Sequence, residues 1–94
     1  MTQNFDAIII GAGVIGTSIA FHLTERGLKP VILERKQLGF GATGKSSGLV
    51  RMHYDLEVES RLAWTSFQYF RNWSERMGGE CGFRRTGFLY IEPA

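Results

Sequence analysis

Cysteine occurs once, at Cys81, so no internal disulfide can close and no thiolate cluster can hold zinc. A charge excess is nearly absent. Lysine and arginine number 11 against 9 aspartates and glutamates, and the basic residues are scattered among acids, which argues against nucleic acid as a partner. Long apolar runs are missing too. The first, Ala7 to Ile10, is too short for a secretory leader core and has no basic leader before it; the segment from Val14 to Leu23 contains Thr17, Ser18 and His22, which argues against a membrane span. These absences give the expectation of a soluble protein of the reducing cytoplasm. What is present, 44% apolar, 13% aromatic and 21% charged residues, is the composition of a folded globular chain. At 94 residues one core is the most expected.

Phe5 to Ile10 is an isoleucine-rich run ending on glycine, the pattern of a buried strand of a parallel sheet. Val14 to Arg26 keeps Ile15, Ile19, Ala20 and Leu23 at helical spacing and stops at Gly27, a C-cap. Pro30 bars helix continuation, and Val31 to Glu34 reads as a second buried strand ending in an acid. The sum is a βαβ unit and an α/β fold class. Residues 35–48 are rich in Gly, Ser and Thr and read as a loop. Ala63, Phe67, Phe70, Trp73 and Met77 then recur at helical spacing, which predicts an amphipathic helix over roughly 56–77, ended by Gly78-Gly79, with the aromatic stripe as its core face. Phe83 to Ile91 alternates weakly and suggests one or two short strands.

The turn Gly11-Ala-Gly13-Val14-Ile15-Gly16 needs each glycine for a reason. Gly11 permits a tight strand-to-helix turn, Gly13 lets backbone approach a pyrophosphate, and Gly16 lets helix and strand pack closely, so any side chain there is expected to collide. The amides and dipole at the start of the helix supply positive charge for phosphates. A glycine triplet alone is a weak signal. Here it follows a predicted strand, opens a predicted helix and precedes Glu34 at the tip of the next strand, where a carboxylate accepts both hydroxyls of an adenosine ribose. A dinucleotide is the expected ligand. The segment Gly39 to Ser46 also satisfies the P-loop pattern, but Arg35 to Leu38 separate it from the strand, so a triphosphatase is disfavoured.

The run Phe5 to Ala20, then Val31 to Arg35, then Gly41-Ala-Thr-Gly-Lys-Ser-Ser-Gly48 resembles the start of the D-amino-acid oxidase superfamily. Gly48-Leu-Val-Arg-Met-His-Tyr54 and Arg85-Thr-Gly-Phe-Leu-Tyr-Ile91 are most similar to its sarcosine oxidase, glycine oxidase and sarcosine dehydrogenase-like branch. The resemblance covers nearly the whole chain. It implies FAD as cofactor, with the pyrophosphate over Gly11, Gly13, Val14, Ile15 and Gly16, the ribose on Glu34, Arg35 near the adenine, and the inner portion along Ala42, Thr43, Ser46, Ser47 and Gly48. It also implies an amine or amino-acid substrate oxidised by hydride transfer, with Arg51 on the substrate carboxylate, a task suited to a bidentate guanidinium. A surface arginine paired with a nearby acid is the alternative for Arg51. Monomeric relatives place a second arginine where this chain has Gly48, a departure that bears on the substrate class.

Members of the superfamily are several-fold longer. The expectation is therefore that residues 1–94 form the N-terminal part of a Rossmann-type FAD-binding domain, with 82–94 leading into the substrate-domain sheet. Such a piece is expected to be inactive alone and to self-associate or assemble with the rest of the fold. An NAD-binding module shares the first motif but needs no 41–48 loop; a non-catalytic fragment needs neither. His22, without partner ligands nearby, reads as a helix-face histidine, His53 as structural, Cys81 as a small buried or surface residue, and no metal site is expected.

Overall fold

The structure, a computed structural model, describes residues 2–94. The elements run β1 (Ala7–Ile10), α1 (Val14–Glu25), β2 (Pro30–Leu33), α2 (Ala42–Lys45), α3 (Glu57–Arg71) and α4 (Trp73–Met77). Where one core was expected, the chain divides into two compact units, the first ending at Ser47 and the second covering Gly48–Ala94.

The first unit is the βαβ unit read from the sequence, with β1 and β2 parallel and Ala7 opposite Pro30 through Ile10 opposite Leu33. Its register is pinned at the open end by a reciprocal pair: Asp6 N–H donates to the Lys29 carbonyl at 2.8 Å, and Lys29 N–H donates to the Asp6 carboxylate at 2.7 Å. Gly11 N–H continues the ladder onto the Leu33 carbonyl. The strand is not buried on both faces as its composition suggests. Ile9 faces α1, whereas Ile8 and Ile10 are 67% and 88% exposed, because no described element of this unit covers that side. Of the four residues at helical spacing, the helix turns only Ala20 and Leu23 inward. Ala20 is buried and Gly16 and Leu23 are half-buried, while Ile15 and Ile19 face outward. Small residues at 16 and 20 bring the helix axis close to the sheet, and that approach sets the inward stripe.

The loop reading of residues 35–48 needs one correction: Ala42–Lys45 forms a short helical turn whose N-cap is Gly41. In the second unit the expected helix breaks at Asn72 into α3 and α4. Asn72 leaves helical geometry, with φ of −111° and ψ of 30°, while its backbone N–H and its Nδ2 both donate to the Gln68 carbonyl, at 3.2 and 3.1 Å. Gly78, with φ of 76°, ends α4. The inward stripe is as expected. Phe67 is buried, and its ring lies 5.7 Å from that of Trp64 and 5.9 Å from that of Phe83, with Phe70 5.9 Å from the same Phe83 ring. Phe67→Leu keeps an apolar side chain but gives up some volume and these ring pairs, so we expect about 1 to 1.5 kcal/mol of destabilisation, read from the urea midpoint. Residues 83–91 carry no strand, since no other segment pairs with them among the described residues. Cys81 is exposed.

Candidate functional site

The glycine turn is built by two different constraints. Gly11 adopts φ of 108°, a conformation an L side chain rarely takes, yet a Cβ there meets nothing within 4 Å. The expected collision at this position is therefore a backbone constraint instead. Gly16 is the reverse: a Cβ would run into the Gly11 carbonyl oxygen and lie 3.3 Å from Ile9 Cγ2. A Cβ on Gly13, the N-cap of α1, would come within 2.9 Å of Thr43 Oγ1. The turn carries its own tie, Thr17 Oγ1 donating to the Gly13 carbonyl at 2.8 Å. Thr17 N–H, bonded to the Gly13 carbonyl at 3.0 Å, is the first amide inside the helix ladder. The amides from Gly13 to Gly16 thus precede the helix ladder and form the electropositive end of α1.

Glu34 lies one residue beyond β2 and joins three segments. Its Oε1 accepts Ala12 N–H at 3.2 Å and its Oε2 accepts Lys36 N–H at 2.8 Å. These two bonds, Lys36 first and then Ala12, hold the carboxyl below the ordinary glutamate range, and the Arg35 charge adds to them. The group is therefore an anion and an acceptor at neutral pH. No local spacing in the sequence signals the bond to Ala12, which spans 22 residues.

The second loop closes over the same turn. Gly39 N–H donates to the Ala12 carbonyl at 2.9 Å, and Val14 N–H donates to Thr43 Oγ1 at 2.9 Å. Its geometry repeats the first turn: Gly39 has φ of 70°, and a Cβ on Gly44 would strike the Gly39 carbonyl as one on Gly16 strikes that of Gly11. The signal was in the sequence, because Gly39-Phe-Gly41-Ala-Thr-Gly44 has the same G-x-G-x-x-G spacing as residues 11–16. As a P-loop the segment is misplaced, following turn residues instead of a strand.

The structure thus brings Gly11, Gly13, Val14, Gly16, Glu34 and Thr43 into one cluster, with Arg35 next to Glu34 and Ala42 next to Thr43 at the start of α2. Ile15 is in the turn but its side chain is 74% exposed. Ser46 and Ser47 follow α2 at the end of the first unit; Gly48 and Arg51 belong to the second. Arg51 lies over the Tyr54 ring, 4.7 Å from its centroid, and among the described residues no carboxylate pairs with it. His53 packs near Tyr90, ring centroids 5.1 Å apart. Among the described residues no group of His, Cys, Asp or Glu is arranged to hold a metal, and no helix is long and apolar enough to cross a membrane.

The family model for FAD dependent oxidoreductases matches residues 6–94. The chain belongs to this family. Glycine oxidase of Bacillus licheniformis is 39% identical over 61% of the chain. Dimethylglycine dehydrogenase of Homo sapiens is 30% identical over 92% of it, and the pyruvate dehydrogenase phosphatase regulatory subunit of Mus musculus 31% over 89%. The chain spans only 15% of the length of the first relative and 10% of each of the other two. No solved structure matches it. The site fits the family's dinucleotide: the turn's own glycines place no side chain at the helix end, the side chain that reaches it is the polar Thr43 hydroxyl, and an anionic acceptor stands just beyond β2.

Proposed function

We propose that this family member seats the ADP half of FAD on its first unit and serves the oxidation of an amine or amino acid. The observation that carries the reading is the convergence of the α1 amide end and the Glu34 carboxylate on the one residue Ala12, which Glu34 holds through its N–H. In this arrangement the pyrophosphate lies on the amides of Gly13 to Gly16, and the ribose hydroxyls donate to Glu34. Arg35 borders the adenine, and Ala42, Thr43, Ser46, Ser47 and Gly48 follow the inner portion of the cofactor. When bound, FAD would supply the two-electron oxidation of the substrate's carbon–nitrogen bond.

The residues of the chain bind, orient and balance charge. Arg51 is assigned to the substrate carboxylate, with the Tyr54 ring holding its guanidinium plane. In the flavin-loaded enzyme, Arg51→Gln is expected to raise KM for an amino-acid substrate about tenfold with a smaller change in kcat. An unchanged KM removes Arg51 from the site. The first test of the whole reading is the visible absorption of the purified protein after incubation with FAD. Flavin bands near stoichiometry support it. A colourless protein that binds NAD turns the assignment to a nicotinamide module.

A further inference from the structure

Thr43 does more than line a loop. Its Oγ1 takes the Val14 N–H at 2.9 Å across 29 residues of sequence, and it lies where a Gly13 side chain would otherwise be, 2.9 Å from that ideal Cβ. Gly13, the residue at the N-cap of α1, contributes no side-chain cap of its own. Thr43 therefore performs from a distant loop the task that a serine or threonine N-cap performs locally.

A phosphate oxygen seated on this helix end needs the same N–H. At 2.9 Å a well-aligned amide is committed to one acceptor, so the Thr43 hydroxyl and a phosphate oxygen compete for it. We propose that Thr43 is a removable cap: its hydroxyl satisfies Val14 N–H in the ligand-free chain and yields that N–H to a phosphate oxygen when FAD binds. A hydroxyl suits the exchange, because the group that accepts from Val14 can rotate and donate its own O–H to the incoming phosphate. The Gly39 N–H to Ala12 carbonyl bond keeps the loop attached while the side chain moves. The inference rests on the FAD reading of this site.

The test uses the 15N-labelled chain with Thr43→Val and Thr43→Ser, and follows the Val14 amide resonance without FAD and at saturation; flavin fluorescence reports binding separately. Without FAD, Val14 in Thr43→Val should move upfield of wild type, as an amide that has lost its acceptor, while Thr43→Ser stays near wild type. At saturation the wild-type and Thr43→Val resonances should converge, since both amides then face phosphate. Identical Val14 resonances in the ligand-free proteins overturn the cap. A difference that persists while fluorescence shows FAD bound overturns the exchange and leaves the FAD reading standing. If fluorescence shows no binding to any of the three, the exchange and the FAD reading fall together.

Discussion

Gly16→Val is expected to abolish flavin binding and to unfold the first unit. The added Cβ alone would meet the Gly11 carbonyl oxygen, which cannot retreat because Gly11 N–H is tied to the Leu33 carbonyl at 2.8 Å and its φ of 108° is already a restricted conformation. On the other side stands Ile9 Cγ2, part of the strand face on which α1 packs. Relief requires moving the helix off the sheet, at a cost of more than about 3 kcal/mol. A core of this size rarely supplies more than about 3 to 5 kcal/mol in total. Gly27→Ala is the control. Gly27 has a positive φ of 79° and a Cβ there meets nothing within 4 Å, so only backbone strain of about 1 to 2 kcal/mol is added. Circular dichroism melts with a flavin fluorescence titration separate the two outcomes; a Gly16→Val protein that melts cooperatively and binds FAD like wild type removes the close helix packing from the account.

The βαβ unit was legible because its signals are local: an isoleucine run, a glycine turn, a helical period and a proline lie in order, and each constrains its own neighbourhood. Burial was less legible. The sequence shows that Ile8 and Ile10 are apolar, but whether a residue is covered depends on what another segment places over it, and the first unit covers only the Ile9 side. The same non-locality explains residues 83–91, where alternation is present and a pairing strand is not. The break at Asn72 hid for a different reason. The apolar stripe passes through it without interruption, Phe70 to Trp73, so periodicity favours one helix, and the non-helical backbone at Asn72 leaves no mark on that period. At the site, residue types were readable and partners were not: the sequence marks Glu34 and Thr43 as polar residues near a glycine turn, and only the fold brings them to the amides of Ala12 and Val14.

Glu34→Lys should weaken FAD binding about a hundredfold, and ADP binding by a similar factor, because two losses act at one position. The acceptor for the ribose hydroxyls is replaced by a donor, and Ala12 N–H and Lys36 N–H lose the anion that aligns the turn with the second loop. Glu34→Gln separates the terms. It keeps one carbonyl acceptor and removes the charge, so its loss should be smaller, about tenfold. The same substitution also exposes the pH dependence. In the folded chain the carboxyl is held below its ordinary range, chiefly by the Lys36 and Ala12 N–H bonds. The ionised group therefore contributes stability above its unfolded pKa, and that contribution disappears as pH falls through the lower folded value. Wild type should accordingly lose stability relative to Glu34→Gln on the acid side of the ordinary glutamate range and keep its advantage at neutral pH. Parallel melting curves for the two proteins across the acidic range would remove Glu34 as the brace of the turn; an unchanged ADP affinity in Glu34→Lys would remove it from the ribose.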